Sequence, residues 1–307
     1  MSQYINKIRT NAGDLQIDYE ALANLPTISN PNLLINGDFQ IWQRSESFSN
    51  IENQYTADRW LIKNAKTKTS LVEMSTDVPN GDFMRYSIHI TETTEENSYL
   101  RYMFEYSLRG TYTLSFWYKT NAAFNTYIYD DGAFVHLGSQ TTLNTWSKAV
   151  YTFTVTSMTF LNIIHAMSIG NAYITGVKLE CGSTATPFVS RFPGEELALC
   201  QRYFFKLLTT YPLTMTQQNV AEAYSYMLIP LPVSMRAAPT ITYKNVKLMK
   251  NGVGGNWFDL TSITCVGFSK MGVTLKLDLL DATYDIGIPY FLILPNSGYI
   301  EFDAEIY

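Results

Sequence analysis

In GTYTLSFWYKT, Gly110 to Thr120, the side chains of Tyr112, Leu114, Phe116 and Tyr118 fall on one side of an extended chain, and Thr113, Ser115, Trp117 and Lys119 on the other. A segment with this two-residue period hides only one face, and it needs a second layer to hide it against. The same period returns in YLRYMFEYSL, FNTYIYDDG, TWSKAVYTFTV and NAYITGVKLE, with turn residues between the runs. Recurring short strands of this kind predict a sandwich or jelly roll over residues 31–192. A second series, AYSYMLIPLP, PTITYKNVKLMK, NWFDLTSITCVGFS, GVTLKLDLL, YFLILP and YIEFDAEIY, predicts a smaller β-sandwich over 209–307. Between two of its runs, NGVGG at 251–255 lacks the Lys-Ser/Thr ending and the following helix of a phosphate loop, and reads as a hairpin turn.

The residue supply agrees with that pattern. With 46% hydrophobic and 16% charged residues, the 307-residue chain can fill one large core or two ordinary ones. Its 22 Tyr and 17 Phe, with abundant Thr, Ser and Asn, favour half-buried pleated strands. A net charge of -5 without a long Lys/Arg run offers no track for phosphates, so nucleic acid is not an expected partner. The longest apolar runs, such as YFLILP at Tyr290 to Pro295, are too short to span a bilayer, and no membrane insertion is expected. MSQYINKIRT lacks the apolar stretch of a secretion signal, which leads us to expect folding in a cytoplasm. Residues 1–30 are polar, offer too little apolar surface for a core of their own, and read as an arm.

Between the two β series runs ITGVKLECGSTATPFVSRFPGEELALCQRYF, with Cys181 and Cys200; the third cysteine is Cys265. Three cysteines without paired spacing suit neither a disulfide framework nor a zinc site. From Pro193 onward, Leu197, Cys200, Phe204 and Leu207 recur at helical spacing, placing Cys200 on the apolar face of a short helix, where burial suppresses the thiolate. His89, His136 and His165 lie in strand-like segments without a catalytic signature beside them. The three thiols therefore read as core residues, and 193–208 as a linking helix and strand. The expected fold is all-β: an N-terminal arm, a jelly-roll β-sandwich, a short linking helix and a second, smaller C-terminal β-sandwich.

Four motifs in order, NLLINGDFQIWQRSESF (Asn32 to Phe48), YTADRW (Tyr55 to Trp60), ITGVKLECGSTATPF (Ile174 to Phe188) and ELALCQRYF (Glu196 to Phe204), resemble bacteriophage and prophage tail-fibre or receptor-binding proteins with a carbohydrate-binding-module-like jelly roll. The resemblance covers about Asn32 to Phe205. IDYEALANLPTI (Ile17 to Ile28) is similar to segments common in phage tail proteins, and LPVSMRAAPTIT (Leu231 to Thr242) to the opening of a small β domain that often follows CQRYF. The resemblance implies a virion protein assembled in the bacterial host cytoplasm, attached to phage tail or baseplate proteins through residues 1–30. It also implies a homotrimer that binds a bacterial surface polysaccharide or lipopolysaccharide without cleaving it, with 209–307 as the receptor-binding tip. Leu197, Phe204 and Phe205 are candidates for the three-fold contact; the alternative buries them inside one subunit, between the two modules. A purely structural baseplate component and a polysaccharide depolymerase are the competing functions, although no internal repeat of a solenoid spike is present.

Within the motifs, Asn36-Gly37-Asp38 suit a turn into a strand, Trp42 and Trp60 have the area to fill a core, and Asp58 and Arg59 suit a pinned loop or a surface pair. Related modules often hold a structural calcium, which implies Asp38 and Glu180 as candidate ligands. Gly176 stands where such relatives place an acidic residue, and simple turn-and-cap roles compete; no other cofactor is expected. A sugar ring presents apolar C–H faces rimmed by hydroxyls, so its site needs an aromatic platform beside hydrogen-bonding side chains. Trp117, on the polar face of its strand, and Tyr127 and Tyr129, alternating on the next, are the candidate platform, with Asp130 and Asp131 as hydroxyl acceptors. The bland alternative places these aromatics in the core or a subunit interface. Adjacent carboxylates on one strand point to opposite faces, so Asp130 and Asp131 do not form the facing pair of a glycoside hydrolase, and the expectation is a binding protein rather than an enzyme.

Overall fold

The computed structural model describes residues 7–10, 13–16, 31–64, 69–80, 84–93, 98–141, 144–208, 217–221, 224–250, 257–269, 272–279, 290–295 and 297–307. The fold is all-β, with antiparallel sheets and one helix among these residues. Of the expected arm, β1 (Lys7–Thr10) and β2 (Gly13–Gln16) pair with each other; Ile17 to Ile28 lies outside the described residues, as does the 251–255 turn.

Two long strands create the larger sandwich. The first part of β8 (Ser98–Thr120) pairs with the last part of β11 (Ser147–Met167), Tyr102 opposite Leu161. Its second part pairs with the first part of β11, Phe116 opposite Ala149. Register shifts at Val155/Met158 and Met158/Phe160 separate the two pairings, and each half joins a different layer. Layer I adds β9 (Phe124–Asp130) and β10 (Ala133–Gln140) on one side and β5 (Trp60–Asn64) with β4 (Gln54–Tyr55) on the other. Layer II continues through β12 (Gly170–Cys181), β7 (Ser87–Glu92), β6 (Thr69–Ser75) and β3 (Ser47–Ile51). The inner faces share one core, in which Leu100, Ile128 and Leu161 meet Ile88, Leu114 and Phe116, and the Tyr118 and Phe124 rings touch at 5.9 Å. The opposite sides of the same strands carry the polar residues, as the alternation requires, although Thr113, Ser115 and Lys178 are themselves buried.

A second core, with Met227, Leu248, Leu275, Leu292 and Phe302, gathers a three-stranded sheet and a six-stranded one. The small sheet is β13 (Phe204–Leu207), β21 (Tyr299–Asp303) and β16 (Thr240–Lys244); the large one runs β14 (Gln217–Ala221), β15 (Tyr224–Pro230), β19 (Gly272–Leu279), β18 (Trp257–Ser269), β17 (Lys247–Lys250), β20 (Tyr290–Ile293). The strands flanking NGVGG pair as a hairpin, Met249 opposite Trp257.

The four recognisable motifs converge where these cores meet. Asn36, at φ 58°, takes the Ile41 N–H on its amide oxygen and donates to the carbonyls of Ile41 and Asp58, while Trp60 Nε1 donates to the Asn36 backbone carbonyl at 2.8 Å. Gly37 packs so tightly on Val177 that a Cβ would overlap the Val177 carbonyl oxygen. Helix α1 (Pro193–Gln201) starts on a proline and presents Glu196 inward, where it accepts the Asn36 N–H at 2.6 Å and an Arg191 Nη1 at 3.0 Å. Cys200 is buried and burial pushes its thiol well above the ordinary range, as expected for a core cysteine; Cys181, by contrast, is exposed, because it ends β12 at the sandwich surface. Asp58 and Arg59 are both buried, so they pin rather than decorate: Arg59 pairs with Glu305, donates to the Met103 carbonyl at 2.8 Å, and lies 3.6 Å from the Tyr203 ring centroid. Phe204 is 1% exposed under Arg44, and the half-buried Phe205 stacks on Phe302 at 5.7 Å, so both make contacts within the subunit.

Candidate functional site

The outer face of layer I carries a field of rings that the β9–β10 hairpin sets in place. Asp131 and Gly132 have φ values of 47° and 81°, the paired left-handed conformations of a two-residue turn whose twist suits a hairpin. That turn puts Ala133 opposite Asp130, Phe134 opposite Tyr129 and His136 near Tyr127. On the other side of β9, Tyr129 stands opposite Phe160 and Tyr127 opposite Asn162. Two rows of side chains result, each crossing four strands. In one, the Arg101 guanidinium lies 3.9 Å from the Phe160 centroid, Phe160 stacks on Tyr129 at 4.7 Å, and Tyr129 meets Phe134 at 5.0 Å. In the other, Tyr99, His165, Tyr127 and His136 follow at 4.7, 4.3 and 4.9 Å. Phe134 stands at 69° to 86° to four neighbouring rings and is 49% exposed.

Asn162 joins the rows. Its Oδ1 accepts Arg101 Nε at 2.9 Å and its Nδ2 donates to His165 Nδ1 at 2.9 Å, which leaves the His165 proton on Nε2. Burial, with the nearby Arg101 charge, lowers the His165 pKa, in keeping with a neutral ring. Strict alternation would send Asn162 and His165 to opposite faces. A register shift between Asn162 and Ile164 inserts one residue and brings both outward. The face thus offers apolar rings, an imidazole donor and a guanidinium, the repertoire that holds a polyhydroxylated ring.

The expected site residues separate. Tyr127 and Tyr129 stand together in this field. Trp117 belongs to layer II, opposite Lys148 and Thr175 and beside Gly176, because β8 has changed layers before reaching it. Around Lys119 on that layer, Tyr173 stacks on His89 at 4.1 Å and helps line a cavity of about 270 Å³. Asp130 and Asp131 are not open hydroxyl acceptors: Asp130 takes the N–H groups of Thr156 at 3.0 Å and Ser157 at 2.6 Å, and Asp131 forms the turn. Phe134, His136, Phe160, Arg101, Asn162 and His165 join the site without standing among the sequence candidates. The first two were legible, since an Asp-Gly turn after TYIYD dictates which residues face Tyr127 and Tyr129; Arg101 and Phe160 depend on long-range pairing.

The calcium candidates do not fit a metal. Glu180 gives both oxygens to Thr186, N–H at 2.8 Å and hydroxyl at 2.6 Å, with Lys178 at 3.4 Å. Asp38 is buried, its pKa is raised by desolvation, and its Oδ1 has no hydrogen-bond partner among the described residues, but one spare oxygen is not a calcium shell. Among the described residues no group of three or more His, Cys, Asp or Glu side chains could hold a metal ion. Gly176 has φ 59°, a conformation strained for any residue with a side chain, and a Cβ at that position would press on Met84 Sδ.

No protein-family model matches the sequence, and no curated protein matches it either. Among solved structures, similarity is found to the enzymatically active domain of tailspike protein 4 of bacteriophage CBA120, with 19% identity and a TM-score of 0.36 over 48% of this chain. The match spans 21% of the tailspike chain. The CBM22-1 xylan-binding domain of Paenibacillus barcinonensis Xyn10C matches 51% of this chain and 98% of its own, with 11% identity and a TM-score of 0.33. A family 16 carbohydrate-binding module matches 35% of this chain and 84% of its own, with 14% identity and a TM-score of 0.26.

Proposed function

We propose that this protein is a phage tail-fibre or receptor-binding adhesin that binds a bacterial surface polysaccharide or lipopolysaccharide through the outer face of layer I and does not cleave it. The observation that carries the reading is Phe134, half open above a field of rings whose gaps are filled by hydrogen-bonding side chains. The apolar face of a pyranose packs on such a ring, while His165 Nε2 and the tyrosine hydroxyls reach the sugar's rim. Both acidic residues at the tip of β9 are engaged in the fold, so neither is free to serve as one of the two facing carboxylates that glycoside hydrolysis uses. Display as a homotrimer on a virion, attached through residues 1–30, would multiply a weak single site.

The test is binding of labelled protein to a panel of intact bacteria, with and without periodate oxidation of surface sugars. Strain-selective binding that periodate abolishes, and that Phe134→Ala and Tyr129→Ala each reduce, is expected. Reducing ends released from the bound polysaccharide would overturn the non-cleaving part. A second reading, a purely structural tail component, draws on the four recognisable motifs all meeting at the buried junction and none on the open face. Absence of binding to every strain, the phage host included, would put that reading first.

A further inference from the structure

Arg101 is 8% exposed, yet it lacks the carboxylate that so enclosed a guanidinium normally keeps beside it. Among the described residues its hydrogen bonding consists of Nε to Asn162, and its stacking of Phe160; neither Nη has a partner. Ring and amide together fix the plane of the fork and leave its outer edge open. Carboxylates on its own strand and on β9 are committed elsewhere: Glu105 to Arg202 at 2.8 Å and to Tyr203, Asp130 to Thr156 and Ser157. On the same face, Lys63 lies exposed opposite Tyr99, and His165 and His136 complete the second row. Among the described residues, the two rows that run from Lys63 and Arg101 to His136 and Phe134 contain no Asp or Glu, and Glu105, further along β8, is paired with Arg202, in a chain whose net charge is -5.

We infer that the face binds an acidic glycan, one whose sugar oxyanion, a carboxylate or a phosphodiester, docks on the two Nη groups of Arg101 while an adjoining ring packs on Phe134. The inference rests on the adhesin reading and adds its ligand class. The charges of Arg101 and Lys63 on this face also speed the approach of a polyanion at low salt.

The experiment uses the full chain on immobilised polymers: polygalacturonate and polysialate in native and carboxyl-reduced forms, teichoic acid as the phosphodiester, and xylan, mannan and dextran as neutral probes. At least one anionic polymer is expected to bind, to weaken about tenfold or more in Arg101→Gln, and to weaken further with added salt. Gln retains a donor for Asn162, and an unchanged melting temperature will show that the variant is folded. Loss on carboxyl reduction identifies a carboxylate sugar; retention by teichoic acid alone identifies phosphodiester. Binding confined to neutral polymers, indifferent to Arg101→Gln but lost in Phe134→Ala, would overturn the acidic ligand and keep the adhesin. Binding of nothing, or binding indifferent to both substitutions, would overturn the adhesin face itself.

Discussion

Arg59 and Arg101 each rest over an aromatic ring, 3.6 Å from the Tyr203 centroid and 3.9 Å from that of Phe160, with 1% and 8% of their surface exposed. At the junction the chain brings Glu305 to Arg59, and Arg44 then leans on Asp303 and Asp58. On the layer I face it brings Arg101 only an amide. A charge paired inside the fold holds two modules together, because either member alone would be stranded in a dry environment. A charge left unpaired at a surface keeps its binding capacity for a molecule from outside.

The largest effect expected is on the junction. Glu305→Ala strands Arg59 and should lower unfolding stability by about 3–5 kcal/mol in denaturant titrations, against under about 1 kcal/mol for Arg101→Gln. Equal losses would erase the distinction between the two arginines. Next comes Asp58, whose pKa burial raises from 3.8 to about 6. Its folded form binds protons more readily than its unfolded form, so its contribution is greatest below about pH 4 and falls away as pH rises through about 6. Wild type minus Asp58→Asn stability should therefore fall by about 2–3 kcal/mol across that window; a flat difference would show the carboxylate to be well solvated. Asn36→Ala, which deletes three hydrogen bonds and leaves a Cβ residue at φ 58°, should cost about 2 kcal/mol in the same assay without altering glycan affinity measured on folded protein. Phe134→Ala should do the opposite, weakening polymer binding about tenfold, a loss of about 1.4 kcal/mol, at nearly constant stability. Trp117→Ala should change binding least, less than about twofold; a larger loss would move the binding face to layer II.

Much of the architecture was legible because strand periodicity and hydrophobic burial are local. Tyr112, Leu114, Phe116 and Tyr118 are buried on the side the alternation assigns them, and Cys200 is buried as its spacing predicts, although the charged Glu196 shares the inward side of that helix. The candidate site was legible in part. Tyr127 and Tyr129 follow from one strand's alternation, whereas nearness in sequence alone does not place Trp117 beside them, and the chemical type of Asp130 and Asp131 does not show their turn and backbone commitments. The sequence expectation of a core position for Cys181 fails, because the residue borders the core at the end of β12 and does not enter it.

The sequence by itself determined the all-β class, the side of each strand that turns inward, and the hairpin that sets Phe134 against Tyr129, since all of these follow from a two-residue period and a two-residue turn. Tertiary structure decided which layer each half of β8 joins, and so removed Trp117 from the tyrosines. It also decided the bulge that turns His165 outward beside Asn162, and the choice of Glu305, 246 residues away, as the partner of Arg59. Those outcomes depend on long-range pairing and on a one-residue slip that reverses a side chain, and neither leaves a mark in the local pattern.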